Sequence, residues 1–98
     1  MVQVKWSQEA ENDLDEYCTY IARTSWQSRA GSFAARVLAV VESIGLLPYS
    51  GWVVSEYGEV AIRERLPGKH RIIYRVDGDT VRVLTIIRGA KKLPKRFD

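Results

Sequence analysis

The stretch that decides the fold is Lys69–Arg88, KHRIIYRVDGDTVRVLTIIR, and its pattern predicts one β-hairpin. The pair Asp77 and Gly78 lies between two alternating runs that are rich in Val, Ile and Tyr. Glycine tolerates the positive φ of a tight turn, so an Asp-Gly pair in this position is a strong hairpin signal. We therefore expect strands over Arg71–Val76 and Thr80–Ile87, joined at the turn.

Arginine recurs with one parity along three predicted strands, of which Val60–Leu66 (VAIRERL) is the first in the chain. Because side chains alternate between the faces of a strand, Ile72, Tyr74 and Val76 share one face of the next strand. If the registers agree, the sheet has an apolar face for packing and a second face that carries cations. The predicted binding face contains six arginines: Arg63, Arg65, Arg71, Arg75, Arg82 and Arg88.

The rest of the chain predicts a second, helical layer. Leu14, Tyr17, Cys18 and Ile21 recur at helical spacing, and Ser7 can cap the helix that they define. Two helices joined by a short break can cover the apolar face, which indicates a two-layer α+β fold with the first strand at a sheet edge. In chain order we expect a strand over Val2–Trp6, a helix over Gln8–Arg23, a second helix ending near Gly45, a loop over Leu47–Tyr57, the three-stranded meander, and an irregular tail over Gly89–Asp98.

Composition limits the class of protein. A chain of 98 residues suits one domain, here 1–98, that needs neither a metal nor a disulfide to fold. Of the 15 Lys and Arg residues, 11 lie at or after Arg63, against four acidic residues there, so the C-terminal third favours acidic partners. The single cysteine, Cys18, fits a reducing compartment. With no signal peptide and no apolar run near the ~20 residues of a membrane span, we expect a cytoplasmic protein without a membrane, metal or cofactor partner.

Three segments, taken in order, resemble one protein family. They are VKWSQEAENDLDEYCTYIA, then LLPYSG, then IRERLPGKHRIIYRVDGDTVRVLTIIRGAKKLP. Together they cover nearly the whole chain and resemble the RelE/ParE superfamily of toxins from type II toxin–antitoxin modules. The resemblance implies a growth-arresting toxin that forms a hetero-oligomer with a cognate antitoxin, whose acidic and amphipathic segment wraps around it. It also implies one of two targets, since RelE-like members cut messenger RNA on the ribosome and ParE-like members poison DNA gyrase.

The resemblance to RelE-like nucleases can be taken residue by residue. Metal-free RNA cleavage requires a base for the 2′-hydroxyl, cations for the phosphorane and an acid for the leaving oxygen. Arg71 aligns with the strand arginine that these nucleases use against the phosphate, Lys91 with a second basic residue, and Phe97 with an aromatic base-stacker. Arg63 or Arg65 could replace their basic strand residues. If the protein is a nuclease, we expect Arg71, Lys91 and Arg63 to be catalytic.

Two departures from the nuclease pattern favour the ParE-like branch. Gly89 and Ala90 lie where some nucleases carry a catalytic His and Tyr, and Phe97 has no hydroxyl to donate a proton. The single histidine, His70, is predicted to point away from Arg71, to the opposite face. Because other members cleave with Arg and Lys alone, the ribosome-dependent endoribonuclease remains the alternative to gyrase inhibition.

A third hypothesis is a non-toxic, basic nucleic-acid-binding module. Such modules combine cations with aromatic platforms, whereas aliphatic residues separate the arginines on these strands. This hypothesis therefore ranks last. For a target protein or an antitoxin, the predicted contact set is the six arginines with Lys91, Lys92 and Phe97. Trp26 and Trp52, which lie in polar breaks, are further candidates for contact with a partner.

Overall fold

The computed structural model describes residues 2–24 and 28–97, so Trp26 lies outside the described residues. The elements in chain order are β1 (Gln3–Trp6), α1 (Gln8–Thr24), α2 (Ser28–Leu46), a 3-10 turn (Pro48–Ser50), β2 (Trp52–Val53), β3 (Ile62–Arg65), β4 (His70–Asp77) and β5 (Thr80–Arg88). The strand order is β1-β5-β4-β3-β2, with β1 parallel to β5 and the other neighbours antiparallel. The α+β class, the meander and the edge position of the first strand are confirmed. The short strand β2 is an addition, formed within the predicted loop.

The hairpin of β4 and β5 is confirmed, with Gly78 at φ 60° in its turn. Its register changes midway, where Ile73 lies opposite Thr85 but the next residue, Tyr74, lies opposite Val83. Leu84 is therefore an extra residue on β5, which makes this a β-bulge. Because of this extra residue, side chains of β5 beyond the bulge point to the face opposite the one that strict alternation along the strand would give them.

The observed registers divide the predicted arginine face into two. The open face, which is the side of the sheet away from the helices, carries Arg71, Arg75 and Arg82. The helix face carries Arg63, Arg65 and Arg88. On β3, Arg63 lies opposite Tyr74, whose ring belongs to the core beneath the helices, and beyond the bulge Arg88 lies opposite His70. The prediction of six arginines on one face is therefore wrong.

Both faces of the sheet are apolar at their centre. The core beneath the helices contains Ala10, Phe33, Val37, Val41, Ile44, Ile72, Tyr74, Val76, Val81, Val83 and Ile86. A second cluster on the open face contains Val54, Ile62, Ile73, Leu84 and Ile87. Leu93 and Phe97 of the irregular tail pack against this second cluster, and the Tyr57 hydroxyl donates to the Pro94 carbonyl. The tail therefore covers the open-face cluster, which the expectation of a single apolar face did not include.

Side chains of helix α1 and of its cap residue form hydrogen bonds with the backbone at the free edge of β5. Because β1 pairs with β5 only as far as Val83, the backbone of residues 84–88 has no strand neighbour on that side. Polar side chains take its place: Ser7 Oγ donates to the Leu84 carbonyl at 2.8 Å, Asp13 Oδ2 accepts from the Ile86 N–H at 3.0 Å, and Tyr17 Oη accepts from the Arg88 N–H at 3.1 Å. These bonds satisfy backbone N–H and C=O groups at the sheet edge, which could otherwise pair with a strand of another molecule. Asp13, which helical periodicity assigns to the polar face, therefore fixes α1 to the sheet, and Ser7 caps α1 as predicted.

Candidate functional site

Arg71, the residue predicted to face a substrate phosphate, is held between two carboxylates on the open face. Its Nε donates to Glu64 Oε1 at 2.6 Å, and its Nη2 donates to Glu64 Oε2 at 3.1 Å. Its terminal nitrogens also donate to both oxygens of Glu56, at 2.8 and 3.0 Å. Both pairs are bidentate, the geometry in which a planar guanidinium binds a carboxylate most strongly. Only 9% of Arg71 is exposed, so the expectation of an exposed Arg71 is wrong.

Two local structures position the carboxylates. Glu56 lies in a tight turn in which the N–H groups of Tyr57 and Gly58 both donate to the Val54 carbonyl. Gly58 closes this turn at φ 63°, a conformation that favours glycine. Glu64 lies on β3 directly opposite Ile73, so its side chain reaches the open face beside the apolar cluster. We call Arg71, Glu56 and Glu64 the arginine clamp.

The electrostatics of the arginine clamp are those of a closed ion cluster. The hydrogen bond from Arg71 lowers the pKa of Glu56 to about 2, and hydrogen bonds to Glu56 and Glu64 raise the pKa of Arg71 above its ordinary value. The four bonds occupy most of the five N–H donors of the guanidinium. One cation and two carboxylates give the arginine clamp a net charge of −1, which disfavours the approach of a phosphate.

The two arginines of β3 also have partners within the protein. Arg63 donates through Nε to the Val60 carbonyl at 2.7 Å and through Nη1 to the Gly51 carbonyl at 3.1 Å. Its guanidinium lies 5.0 Å from the centre of the Tyr49 ring, in a cation–π contact. Arg65 Nη1 donates to the hydroxyls of Ser43 and Ser50, both at 3.1 Å. These contacts fasten the end of α2 and the 3-10 turn to the sheet.

The remaining predicted arginines on the open face line a shallow pocket. Arg75 and Arg82 lie directly opposite one another on β4 and β5, and Arg96 of the tail joins them in a pocket of about 420 Å³. Within residues 2–24 and 28–97, none of the three has an ion-pair partner. Glu9 and Ser7 of the α1 start line the same pocket. Among residues 2–24 and 28–97, Arg75, Arg82 and Arg96 are therefore open-face cations that remain available to a ligand.

The predicted tail residues lie outside the arginine clamp. Lys91 and Lys92 are exposed and line a pocket of about 520 Å³ with acidic residues of α1. Phe97 is half-buried, and its ring packs edge-on against Tyr57 with 5.6 Å between ring centres. Arg88 lies on the helix face, in a groove with His70. Within residues 2–24 and 28–97, Arg71 forms its ion pairs with Glu56 and Glu64, and no hydrogen bond joins it to Arg63, Lys91 or Phe97.

Sequence reasoning missed Glu56 and Glu64. The pattern placed Glu64 with Val60 and Ile62, in the apolar set of β3. A carboxylate on a face that is otherwise apolar is rarely buried without a cation, and this was the available signal that Arg71 has a partner in the protein. Glu56 gave no such signal, because it lies in a loop whose path depends on tertiary contacts.

The part of the chain that the structure describes supports neither a metal site nor a membrane-spanning helix. Residues 2–24 and 28–97 contain no cluster of His, Cys, Asp and Glu that could hold a metal ion. Over the same ranges, neither helix combines the length and the apolar composition needed to cross a bilayer.

Comparison with solved structures identifies the class of fold. The chain is similar to a structure of the chromosomal ParDE toxin–antitoxin system from P. aeruginosa, with a TM-score of 0.74 and 19% identity over 90% of this chain and 96% of that chain. It is also similar to the toxin–antitoxin complex RelBE2 from Mycobacterium tuberculosis, with a TM-score of 0.56 and 17% identity over 89% and 96% of the two chains. At such identities the likeness concerns the fold, which is that of RelE/ParE superfamily toxins.

Residues 4–93 match the family model of the ParE toxin of the type II toxin–antitoxin system, parDE. Because the match spans most of the chain, the protein belongs to the ParE toxin family and is a toxin of a type II toxin–antitoxin system. The resemblance drawn from the sequence is confirmed. The search of curated proteins found no match.

The arginine clamp predicts a specific dependence of stability on pH. The folded-state pKa of Glu56 is about 2, below its ordinary value of 4.5. Its contribution to stability is therefore complete above about pH 4.5 and is lost as the pH falls towards about 2. Glu56→Gln removes this titration, so the free energy of unfolding, measured by urea at a series of pH values, should fall less steeply in this window than for the wild type. Glu59→Gln in the same loop is the matched control for the loss of one carboxylate, and equal slopes for the wild type and Glu56→Gln would contradict the assignment.

Proposed function

We propose that this toxin arrests growth by inhibiting DNA gyrase, and that it acts through binding instead of catalysis. The family assignment supports a ParE-type target, and the arginine clamp is the observation that carries the non-enzymatic part. In a nuclease of this fold, Arg71 would have to stabilise negative charge that develops on the phosphate in the transition state. Here the same guanidinium is already engaged by Glu56 and Glu64.

Releasing Arg71 towards a phosphate would be costly. The side chain of Glu64 is only 12% exposed, so it would become a largely buried carboxylate without a cation. Removing one partner from a buried ion pair typically costs several kcal/mol, of the order of 3–5. Lys91 offers no substitute at the same place, because it lines a separate pocket beside Glu9 and Glu16. The contacts of Arg71 therefore support a structural role for this residue, and Lys91 does not take over its position.

The test compares two targets with the same purified protein. We expect the protein to inhibit supercoiling of relaxed plasmid by gyrase, and to leave messenger RNA on translating ribosomes without new 5′ ends. The double variant Lys91→Gln/Lys92→Gln removes two exposed cations of the tail without disturbing Leu93 or Phe97. It should weaken gyrase inhibition by roughly 3–10-fold.

The matched control for this test is Lys5→Gln/Arg23→Gln, which removes the same charge from exposed positions on β1 and α1. This control should inhibit gyrase as strongly as the wild type, with both variants giving wild-type circular dichroism. Reproducible cleavage of message by the pure protein, abolished by Arg71→Lys, would refute the proposal. Absence of any effect on gyrase would refute it as well.

We also propose the surface that the antitoxin covers. The outermost strand β2 has one unpaired edge, and large apolar side chains are exposed around it. They are Leu46, Leu47, Tyr49, Trp52, Val53, Val60 and Leu66, with Trp52 70% exposed. An extended segment can add a strand to such an edge while its apolar side chains cover the patch. Arg63 and Arg65 border this surface, which favours a segment that also carries Asp or Glu.

Trp52→Ala should weaken binding of the antitoxin encoded with this toxin by about 30-fold or more, because exposed aromatic residues at an interface centre are the usual hot spots. The fold should be unaffected, since Trp52 contributes little to either apolar cluster. Tyr20→Ala is the control, an exposed aromatic residue on α1, near the opposite edge of the sheet. Isothermal titration calorimetry measures both; wild-type affinity for Trp52→Ala would place the antitoxin elsewhere.

A further inference from the structure

A long groove lies on the helix face, between α1, the start of α2 and the turn that connects β3 to β4. It consists of two adjoining pockets of about 640 and 440 Å³. The two pockets share Ile21, Arg29, Lys69 and His70, so they form one continuous surface, which we call the basic groove. None of its residues belongs to the arginine clamp or to the apolar patch around β2.

Positive charge is concentrated in the basic groove. Four cations line it: Arg29, Arg36, Lys69 and Arg88. The acidic residue that lines it is Glu16, and within the described ranges none of the four cations forms an ion pair. Arg88 and Arg36 each line the basic groove together with His70, and burial and these two charges lower the pKa of His70. Four cations against one carboxylate give the basic groove a net positive charge, which attracts an anion with several charges.

Aromatic side chains form one wall of the basic groove. The rings of Tyr17 and Phe33 lie 4.6 and 4.7 Å from the His70 ring, centre to centre, and hold one another in place. Tyr20, one helical turn from Glu16 on α1, is 57% exposed and leaves its ring open to a ligand. The strands alone offer no such platform next to their arginines. The fold supplies it, because α1 carries its tyrosines to the end of β5 where Arg88 lies.

Cations beside an exposed aromatic ring match the chemistry of single-stranded nucleic acid. Basic side chains neutralise successive phosphates, and a base stacks on a tyrosine, which a paired base inside a duplex cannot do. An acidic peptide would use the cations but would not require the face of Tyr20. We propose that the basic groove binds a single-stranded segment of nucleic acid, with its phosphates along Arg29, Arg36, Lys69 and Arg88 and a base on Tyr20. This activity requires neither gyrase nor antitoxin, so it stands apart from the proposed target.

The test uses fluorescence anisotropy with a labelled oligothymidylate of about ten nucleotides, a length within the range of small single-strand-binding sites. Arg29→Gln/Arg88→Gln removes two exposed cations from the basic groove. Arg82→Gln/Arg96→Gln removes two exposed arginines from the open face, so the two variants have equal net charge. The groove variant should bind about 10-fold more weakly or worse, and its plot of log K against log salt should be shallower by about 1.4. The open-face variant should stay within about 2-fold of the wild type at matched salt.

Tyr20→Ala separates stacking from charge. It should weaken binding by about 10-fold while leaving the salt slope unchanged, because it removes a base contact and no phosphate contact. Wild-type thermal melting of all variants is the control for folding. Equal losses for the groove and open-face variants would overturn the proposal, since they would show binding by bulk charge. Tighter binding of an oligoglutamate of the same charge would overturn it too, since the basic groove would then be a peptide site.

Discussion

The ion cluster of Arg71 with Glu56 and Glu64 is the interaction on which the open face of this toxin depends. It joins β4, β3 and the turn after β2 at one point, beside the apolar cluster of the open face. Tyr57, which follows Glu56, bonds the Pro94 carbonyl and packs against Phe97, so the turn held by Arg71 also holds the tail. A guanidinium enclosed in this way connects three parts of the fold, and four of its five N–H donors are occupied by carboxylate oxygens.

Local sequence signals predicted the elements of the fold well, and tertiary geometry decided the rest. Asp77 and Gly78 specified the hairpin, and Ser7 specified the start of α1, because both depend on residues a few positions apart. Alternation alone does not predict the bulge at Leu84. This extra residue on β5 exchanges the faces that alternation assigns to the side chains beyond it. That single residue moves Arg88 to the helix face. The partner of Asp13, the edge of β5, lies more than 70 residues away in the chain.

The site was predicted less well for a related reason. The count of arginines was informative, but a cation is available to a ligand only if the protein leaves it unpaired. Arg63 donates to the Gly51 carbonyl and Arg65 to Ser43 of α2, both neutral acceptors, whereas Arg71 is closed between two carboxylates. Cations without ion-pair partners among residues 2–24 and 28–97 remain in the open-face pocket, in the tail and in the basic groove. The two tail lysines Lys91 and Lys92, the apolar patch around β2 and the basic groove have no residue in common, which allows each to be altered separately.

The most direct measurement of the central claim is the free energy of unfolding of Arg71→Ala, determined by urea titration at neutral pH. Removing this buried arginine, which compensates two carboxylates, should lower the free energy of unfolding by about 3 kcal/mol. The triple variant Arg71→Ala/Glu56→Gln/Glu64→Gln should recover at least about half of that loss, because its neutral amides need no cation. An Arg71→Ala protein within about 0.5 kcal/mol of the wild type, as expected for a free surface side chain, would contradict the account.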